Sequence, residues 1–295
     1  MQASRPRRSA LYMPGSNARA LEKARTLPAD VVILDLEDAV APDAKPAARQ
    51  QVAAAVRAGG FGARETVIRI NGLDTPWGAD DLAAAAAAGP DAILVPKVGA
   101  ASDIDQVSQM LNRAGGRAET RLWAMMETPK AMLAAAQIAA AAGHPGSRLS
   151  CFVLGTNDLA KETRASLGLE RFAMMPWLMT CLAAARANGL EILDGVYNDF
   201  KDRDGLERES QQGRAMGMDG KTVIHPDQIA TVNAVFSPAA TEVASAEKII
   251  AAFDLPENKG KGVITVDGRM VELLHAEMAR RTLAIAAAIQ ARSSG

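Results

Sequence analysis

One pattern repeats along most of the chain: a short apolar run, then a longer alanine-rich amphipathic stretch. The apolar runs are 9–13 (SALYM), 31–36 (VVILDL), 66–70 (TVIRI), 92–96 (AILVP), 122–126 (LWAMM), 151–155 (CFVLG), 190–194 (LEILD) and 221–225 (KTVIH). Their length and apolar content read as buried strands. The intervening stretches 17–27, 45–57, 78–88, 102–114, 129–142, 175–188, 205–216 and 226–235 read as helices. Pro129 in a first turn and Ser102 before an apolar-periodic segment are start signals, and Gly89-Pro90 and Gly189 are stops. Eight strand–helix pairs in about 235 residues predict an α/β chain folded as a (β/α)8 TIM barrel. The rival doubly wound sheet announces itself by a glycine-rich first turn, and PGSNA is not GxGxxG.

No linker interrupts the repeat, so residues 1–236 are read as one barrel domain. The barrel does not need residues 237–295. They read as a C-terminal extension: a helix at 238–253, a loop at 255–262, a strand-turn at 263–270 and a last helix at 271–290. Its Gly/Lys-rich lead-in would let it reach a neighbouring subunit. A net charge of −1 gives no global attraction to nucleic acid or an anionic membrane. Two cysteines, Cys151 and Cys181, exclude a disulfide framework and fit a reducing cytoplasm. No apolar h-region follows the basic RPRR at 5–8, and no stretch is apolar enough to span a bilayer.

Chemistry in such a barrel sits at the C-terminal ends of the strands. Those ends carry Ser16, Glu37-Asp38, Arg69 and Asn71, Lys97, Glu127, Asn157-Asp158, Asp194 and Tyr197, and His225. Together they make one charged mouth. Glu127 is the most demanding, because a charge at the tip of a core strand costs several kcal/mol unless something pairs with it. Glu127 and Asp158, on adjacent strands, suit a hard cation such as Mg²⁺, which takes one or two carboxylates and keeps waters. Alternatively, Glu127 caps a helix or pairs with Arg69 or Lys97. Arg69, inside the apolar VIRIN, either holds a substrate carboxylate bidentately or pairs with Glu37 or Asp38. His225 is an acid/base candidate or a satisfied strand-end histidine. His144 and His275 read as surface residues, and both cysteines as core packing. DGKT at 219–222 lacks the glycine spacing of a phosphate-binding loop, and no GxSxG is present.

RSALYMPGSNARALEKA, ILDLEDAV, VIRINGLDT, AILVPKV, METPKAM, GTNDLAKE and KTVIHPDQI, in this order, resemble the citrate lyase β-subunit/malyl-CoA lyase family of the HpcH/HpaI aldolase superfamily. The resemblance covers roughly 8–290. It implies a (β/α)8 barrel assembled as a homotrimer or homohexamer, with a small-molecule CoA thioester and a 2-oxo acid as partners. It implies Mg²⁺, with Mn²⁺ as the alternative, held by Glu127 and Asp158. Arg69 would hold the keto-acid carboxylate, and Glu37 and Asp38 would order Arg69 and the metal waters. Gly155 and Thr156 would offer backbone amides to the substrate, with Asn157 and Lys97 as further binding residues. For the CoA phosphates Arg5, Arg7, Arg8, Lys23 and Lys97 are candidates, with solvated surface the alternative for all but Lys97. The C-terminal segment would cross to a neighbour and deliver an Asp from a G-K/R-M-[VI]-D motif. Here that position is Glu272 in DGRMVELLH, one methylene longer.

Three activities follow as expectations. The first is retro-Claisen cleavage of (3S)-malyl-CoA or a related β-hydroxyacyl-CoA to a 2-oxo acid and an acyl-CoA, with Glu272 protonating the enolate. The alternative is thioester hydrolysis to malate and CoA, with Glu272 positioning water. GTNDLAKE, DGVYNDF and VDGRMVELLH look closest to that thioesterase branch. The third is a citrate lyase-type subunit that works beside an acyl-carrier protein.

Overall fold

The computed structural model describes residues 5–293. Eight parallel strands close into a barrel in chain order: β1 (Ser9–Pro14), β2 (Val31–Asp35), β3 (Glu65–Arg69), β4 (Ala92–Val95), β5 (Arg121–Met126), β6 (Leu149–Leu154), β7 (Glu191–Asp194) and β8 (Gly220–Val223). β8 pairs back onto β1 through Ser9–Leu11, which leaves no open edge. Every expected strand is present, with ends within two residues of the expected ones.

The helices of the repeat are α1 (Ala18–Ala24), α2 (Lys45–Ala58), α3 (Gly78–Ala88), α4 (Ala101–Arg113), α5 (Pro129–Leu133), α6 (Ala135–Ala140), α7 (Thr156–Thr163), α8 (Met175–Ala187), α9 (Arg203–Met216) and α10 (Ile229–Phe236). Local chemistry sets several ends. Asn17, Thr128 and Asp202 accept from backbone N–H groups of α1, α5 and α9 at 3.1, 3.1 and 2.9 Å. Gly89 and Gly217, in left-handed conformations, close α3 and α9.

Two expectations are corrected. The helix at 129–142 is two short helices separated at Ala134, where φ −104° and ψ 9° leave the helical basin. Helix α7 fell outside the expected pattern because TNDLAKET is polar and buries only Thr156 and Leu159.

Side-chain parity along the strands decides what faces the barrel interior. Ala10, Ile33, Val67, Leu94, Trp123 and Val153 belong to the interior cluster. Two residues further on, the same faces carry Tyr12, Asp35, Arg69 and Met125. The interior is thus apolar below and charged at the C-terminal rim. At the other end, ahead of β1, Arg7 pairs with Glu65 and Glu191 and stacks over Trp123, and Arg8 pairs with Asp30. Arg7 and Arg8 therefore plug the N-terminal end of the barrel, opposite the mouth, and are not in place to meet a CoA phosphate there.

The described residues divide into two compact units, Arg7–Val235 and a second made of 5–6 and 236–293. In the second, α11 (Ala240–Asp254) packs along α12 (Leu273–Ser293). Between them β9 (Val263–Val266) and β10 (Arg269–Glu272) form an antiparallel hairpin. Its two turn residues, Asp267 and Gly268, are both left-handed, as a tight hairpin turn requires. Glu272, expected in the last helix, instead ends β10 opposite Val263.

Candidate active site

A cavity of about 300 Å³ opens at the C-terminal ends of the strands, lined by Tyr12, Asp35, Arg69, Met125, Thr156 and Asp158 among others. Arg69 and Asp35 are register partners on β3 and β2. Arg69 Nε and Nη2 donate to the two Asp35 oxygens at 2.7 and 2.6 Å, a bidentate pair. Arg69 Nη1 lies 2.9 Å from Glu37 and 3.1 Å from Asp38. Asp35 also accepts from the N–H groups of Glu37 and Ala39, so it shapes the turn that presents Glu37 and Asp38. Buried Lys45 braces the same turn through the Leu36 and Glu37 carbonyls and Asn71.

Glu127 is 1% exposed. Its Oε1 accepts the backbone N–H of Lys97 at 2.7 Å. Glu127 takes its hydrogen bond from the Lys97 backbone, and Arg69 and the Lys97 ammonium act on it through charge without a direct ion pair. Lys97 reaches this position with φ 51°, a left-handed conformation rare for a lysine. Its exposed side chain is drawn toward the mouth. Burial lowers its affinity for a proton, but Glu37, Asp158, Glu127 and Asp38 more than offset that and raise its pKa.

The carboxylates are not all matched by cations. Burial pushes Glu37 up to about 7; Arg69 opposes the rise, and Asp38 and Asp35 add to it. Glu127 is pushed up to about 8 by burial and by Glu37, with the Lys97 amide opposing and Asp158 adding. Glu37 Oε2 meets Arg69 as an ion pair at an angle that makes no hydrogen bond, and it is otherwise without a partner. Five carboxylates (Asp35, Glu37, Asp38, Glu127 and Asp158) thus outnumber the cations around them, Arg69 and Lys97 with Lys45 behind the Glu37 turn. An oxygen-only donor set with excess negative charge fits Mg²⁺. Among the described residues no group of three or more His, Cys, Asp or Glu forms a metal cluster. The two carboxylates Glu127 and Asp158 suit a cation that keeps water and substrate oxygens in its shell.

Other expected residues fall differently. The Gly155 N–H is committed to the Met126 carbonyl at 3.0 Å, so it offers no amide to a substrate. Its role is space, because a Cβ there would collide with the Glu127 side chain. Thr156, Asn157 and Asp158 occupy the first turn of α7, where backbone N–H groups lack intrahelical partners and an acidic side chain is favoured. Asn157 exchanges two amide hydrogen bonds with Asn198, at 3.0 and 2.8 Å. His225 accepts from the Asp227 N–H and stacks on Phe200 at 4.5 Å, the arrangement of a satisfied histidine.

Asp194 is not in the mouth. Leu193 takes the interior position, so Asp194 points outward and is buried with Arg171 and Lys221 at 2.7 and 3.0 Å. Tyr197 likewise turns aside and donates to Asp202. Both cysteines are buried in the core as expected, and burial raises both thiols. Asp35, Tyr12 and Lys45 were not singled out from the sequence. Asp35 left a signal there, as an aspartate on the inward parity of an otherwise apolar strand.

The chain is 52% identical to a (3S)-malyl-CoA thioesterase of Cereibacter sphaeroides over 97% of this chain and 96% of the relative. It is 35% identical to an L-malyl-CoA/β-methylmalyl-CoA lyase of the same species over 92% and 91%. A solved structure of CitE from Mycobacterium tuberculosis, in complex with magnesium, acetoacetate and coenzyme A, superposes with a TM-score of 0.74 at 31% identity. It covers 96% of this chain and 99% of that one. The family model for HpcH/HpaI aldolase/citrate lyase matches residues 8–226, the barrel with the charged mouth, and the chain belongs to that family.

Proposed function

We propose that this protein is a Mg²⁺-dependent enzyme that hydrolyses the thioester of (3S)-malyl-CoA, or of a closely related β-hydroxyacyl-CoA, to the free acid and CoA. The observation that carries this reading is the 52% identity with a (3S)-malyl-CoA thioesterase over nearly the whole chain, against 35% with the lyase. The order of the two activities expected from the sequence is thereby reversed. Carbon–carbon cleavage is the second reading, favoured by the lyase relative.

The residues divide the work. Glu127 and Asp158 hold Mg²⁺, which when bound polarises the substrate oxygens it meets. Arg69, fixed by Asp35, Glu37 and Asp38, orients the substrate carboxylate. The Lys97 ammonium, Asn157 and the Thr156 amide bound the rest of the acyl group. Glu272 positions water against the thioester carbonyl, a role that rests on the resemblance alone. A homotrimeric or homohexameric assembly in the cytoplasm belongs to the same reading. No helix among the described residues is long and apolar enough to cross a membrane.

Product analysis of purified protein with (3S)-malyl-CoA and Mg²⁺ tests the proposal. Malate and free CoA in equal amounts are expected. Glyoxylate with acetyl-CoA would establish the lyase reading instead. Silence of the purified chain, restored by an acyl-carrier protein, would make it a subunit of a larger complex.

A further inference from the structure

Arg69 has little left to offer a ligand. A guanidinium carries five N–H groups. Asp35 takes Nε and one proton of Nη2, and Asp38 takes one of Nη1, whose other hydrogen bond goes to the Met125 sulfur at 3.9 Å, with Glu37 an ion pair 2.9 Å away. One Nη2 proton remains. Three of the five N–H groups are held by carboxylates, so a second donor beside Arg69 would strengthen its grip on an incoming carboxylate.

Tyr12 is placed to be that donor. It lies on the inward face of β1, at the top of the interior cluster, and lines the same cavity as Arg69. The Arg69 guanidinium carbon sits 4.8 Å from the Tyr12 ring centroid. The Tyr12 hydroxyl makes one hydrogen bond, to the Met125 sulfur at 3.9 Å. A thioether is a weak acceptor, so that proton is available to a stronger one. Burial keeps the hydroxyl protonated, raising it above its ordinary range, with Arg69 opposing. It therefore acts as a donor throughout the working pH range.

We propose that Tyr12 contacts the substrate: its hydroxyl, together with the remaining Arg69 N–H, holds the free carboxylate of the acyl group. This rests on the dicarboxylic substrate class proposed above and assigns the residue that completes its recognition.

The test is Tyr12→Phe, which removes one oxygen and keeps the ring over Arg69. Binding of malate in the presence of Mg²⁺ is measured by calorimetry, binding of free CoA serves as the control, and kcat and KM are measured for malyl-CoA. The expected result is malate affinity lower by about ten- to hundredfold, the range of a lost hydrogen bond to a charged group. KM rises by a similar factor, while kcat, CoA affinity and Tm stay near wild type. Unchanged malate affinity and KM would make Tyr12 a packing residue and overturn the proposal. A fall in kcat alone would place the hydroxyl at the reacting carbonyl and overturn it equally. Should wild type bind malate yet release no CoA from malyl-CoA, the hydrolytic reading fails, and the malate titration of Tyr12→Phe still decides the contact.

Discussion

Two clusters of buried charge sit on the same barrel and are built on opposite terms. Behind β7 and β8, Arg171 and Lys221 meet Asp194 and Glu209 at 2.6–3.5 Å, two cations against two carboxylates. Gln212 takes two more of the Arg171 donors. Although burial raises Asp194, Lys221 and Arg171 outweigh it and hold the carboxyl below its usual range. In the mouth five carboxylates outnumber Arg69, Lys97 and the Lys45 behind them, and burial drives Glu37 and Glu127 upward. The closed network has nothing left to bind. The mouth holds more carboxylates than cations, and the proposed Mg²⁺ would supply the missing positive charge. A balanced buried network reads as a structural element, and an unbalanced one as a candidate binding site.

Glu127→Gln should break this contrast most sharply. It removes a proposed metal ligand, and kcat/KM should fall about a thousandfold, the several kcal/mol such a cation contributes. It also removes a repelled buried charge, so Tm at pH 8 should hold or rise. A clear loss of Tm would mean that Glu127 is a stabilising group like Asp194.

Lys221→Met tests the other side. Breaking the closed network should destabilise the fold by about 3 kcal/mol, because Asp194 and Glu209 lose a buried partner. Activity per folded molecule should stay near wild type, checked by denaturant unfolding alongside initial rates.

The pH response should separate the two regions. Without metal, the native state holds extra protons on Glu37 and Glu127 between their unfolded value of 4.5 and about 7 and 8. Stability therefore falls as pH rises through that window. Asp194 has the opposite sign: its contribution is present above its unfolded pKa and is lost only as pH falls through the lower folded value. Mg²⁺ should raise Tm by a few degrees at pH 8 and by less at pH 6. Equal shifts at both pH values would exclude the carboxylates as the metal site.

The smallest effect is expected from Glu272→Asp. It should shift a minor share of product from malate toward glyoxylate, measured by parallel thiol and glyoxylate assays. An unchanged product ratio would remove Glu272 from the choice between hydrolysis and cleavage.

The sequence disclosed the barrel because each strand is an apolar run too short for a helix. Arg69 and Glu127 were legible because a charge inside such a run demands a reason. Parity decided the rest. Asp35 and Asp194 look alike in VVILD and EILD, and only the inward or outward setting of the strand separates the partner of Arg69 from the partner of Lys221. Arg171 could not be paired in advance, since its partners lie 23 and 38 residues away on other elements. Tyr12 looked like an ordinary strand aromatic because its significance comes from the side chain across the barrel.

At the tip of β4, the backbone of Lys97 adopts a geometry in which glycine would rest more comfortably by about 1 kcal/mol. Backbone strain alone would favour glycine there, at the loss of the ammonium. Under the role proposed for Lys97, Lys97→Gly would relieve the backbone and lose a charge that Glu37, Asp158 and Glu127 favour. An engineer seeking a sturdier variant would find that substitution early and should refuse it.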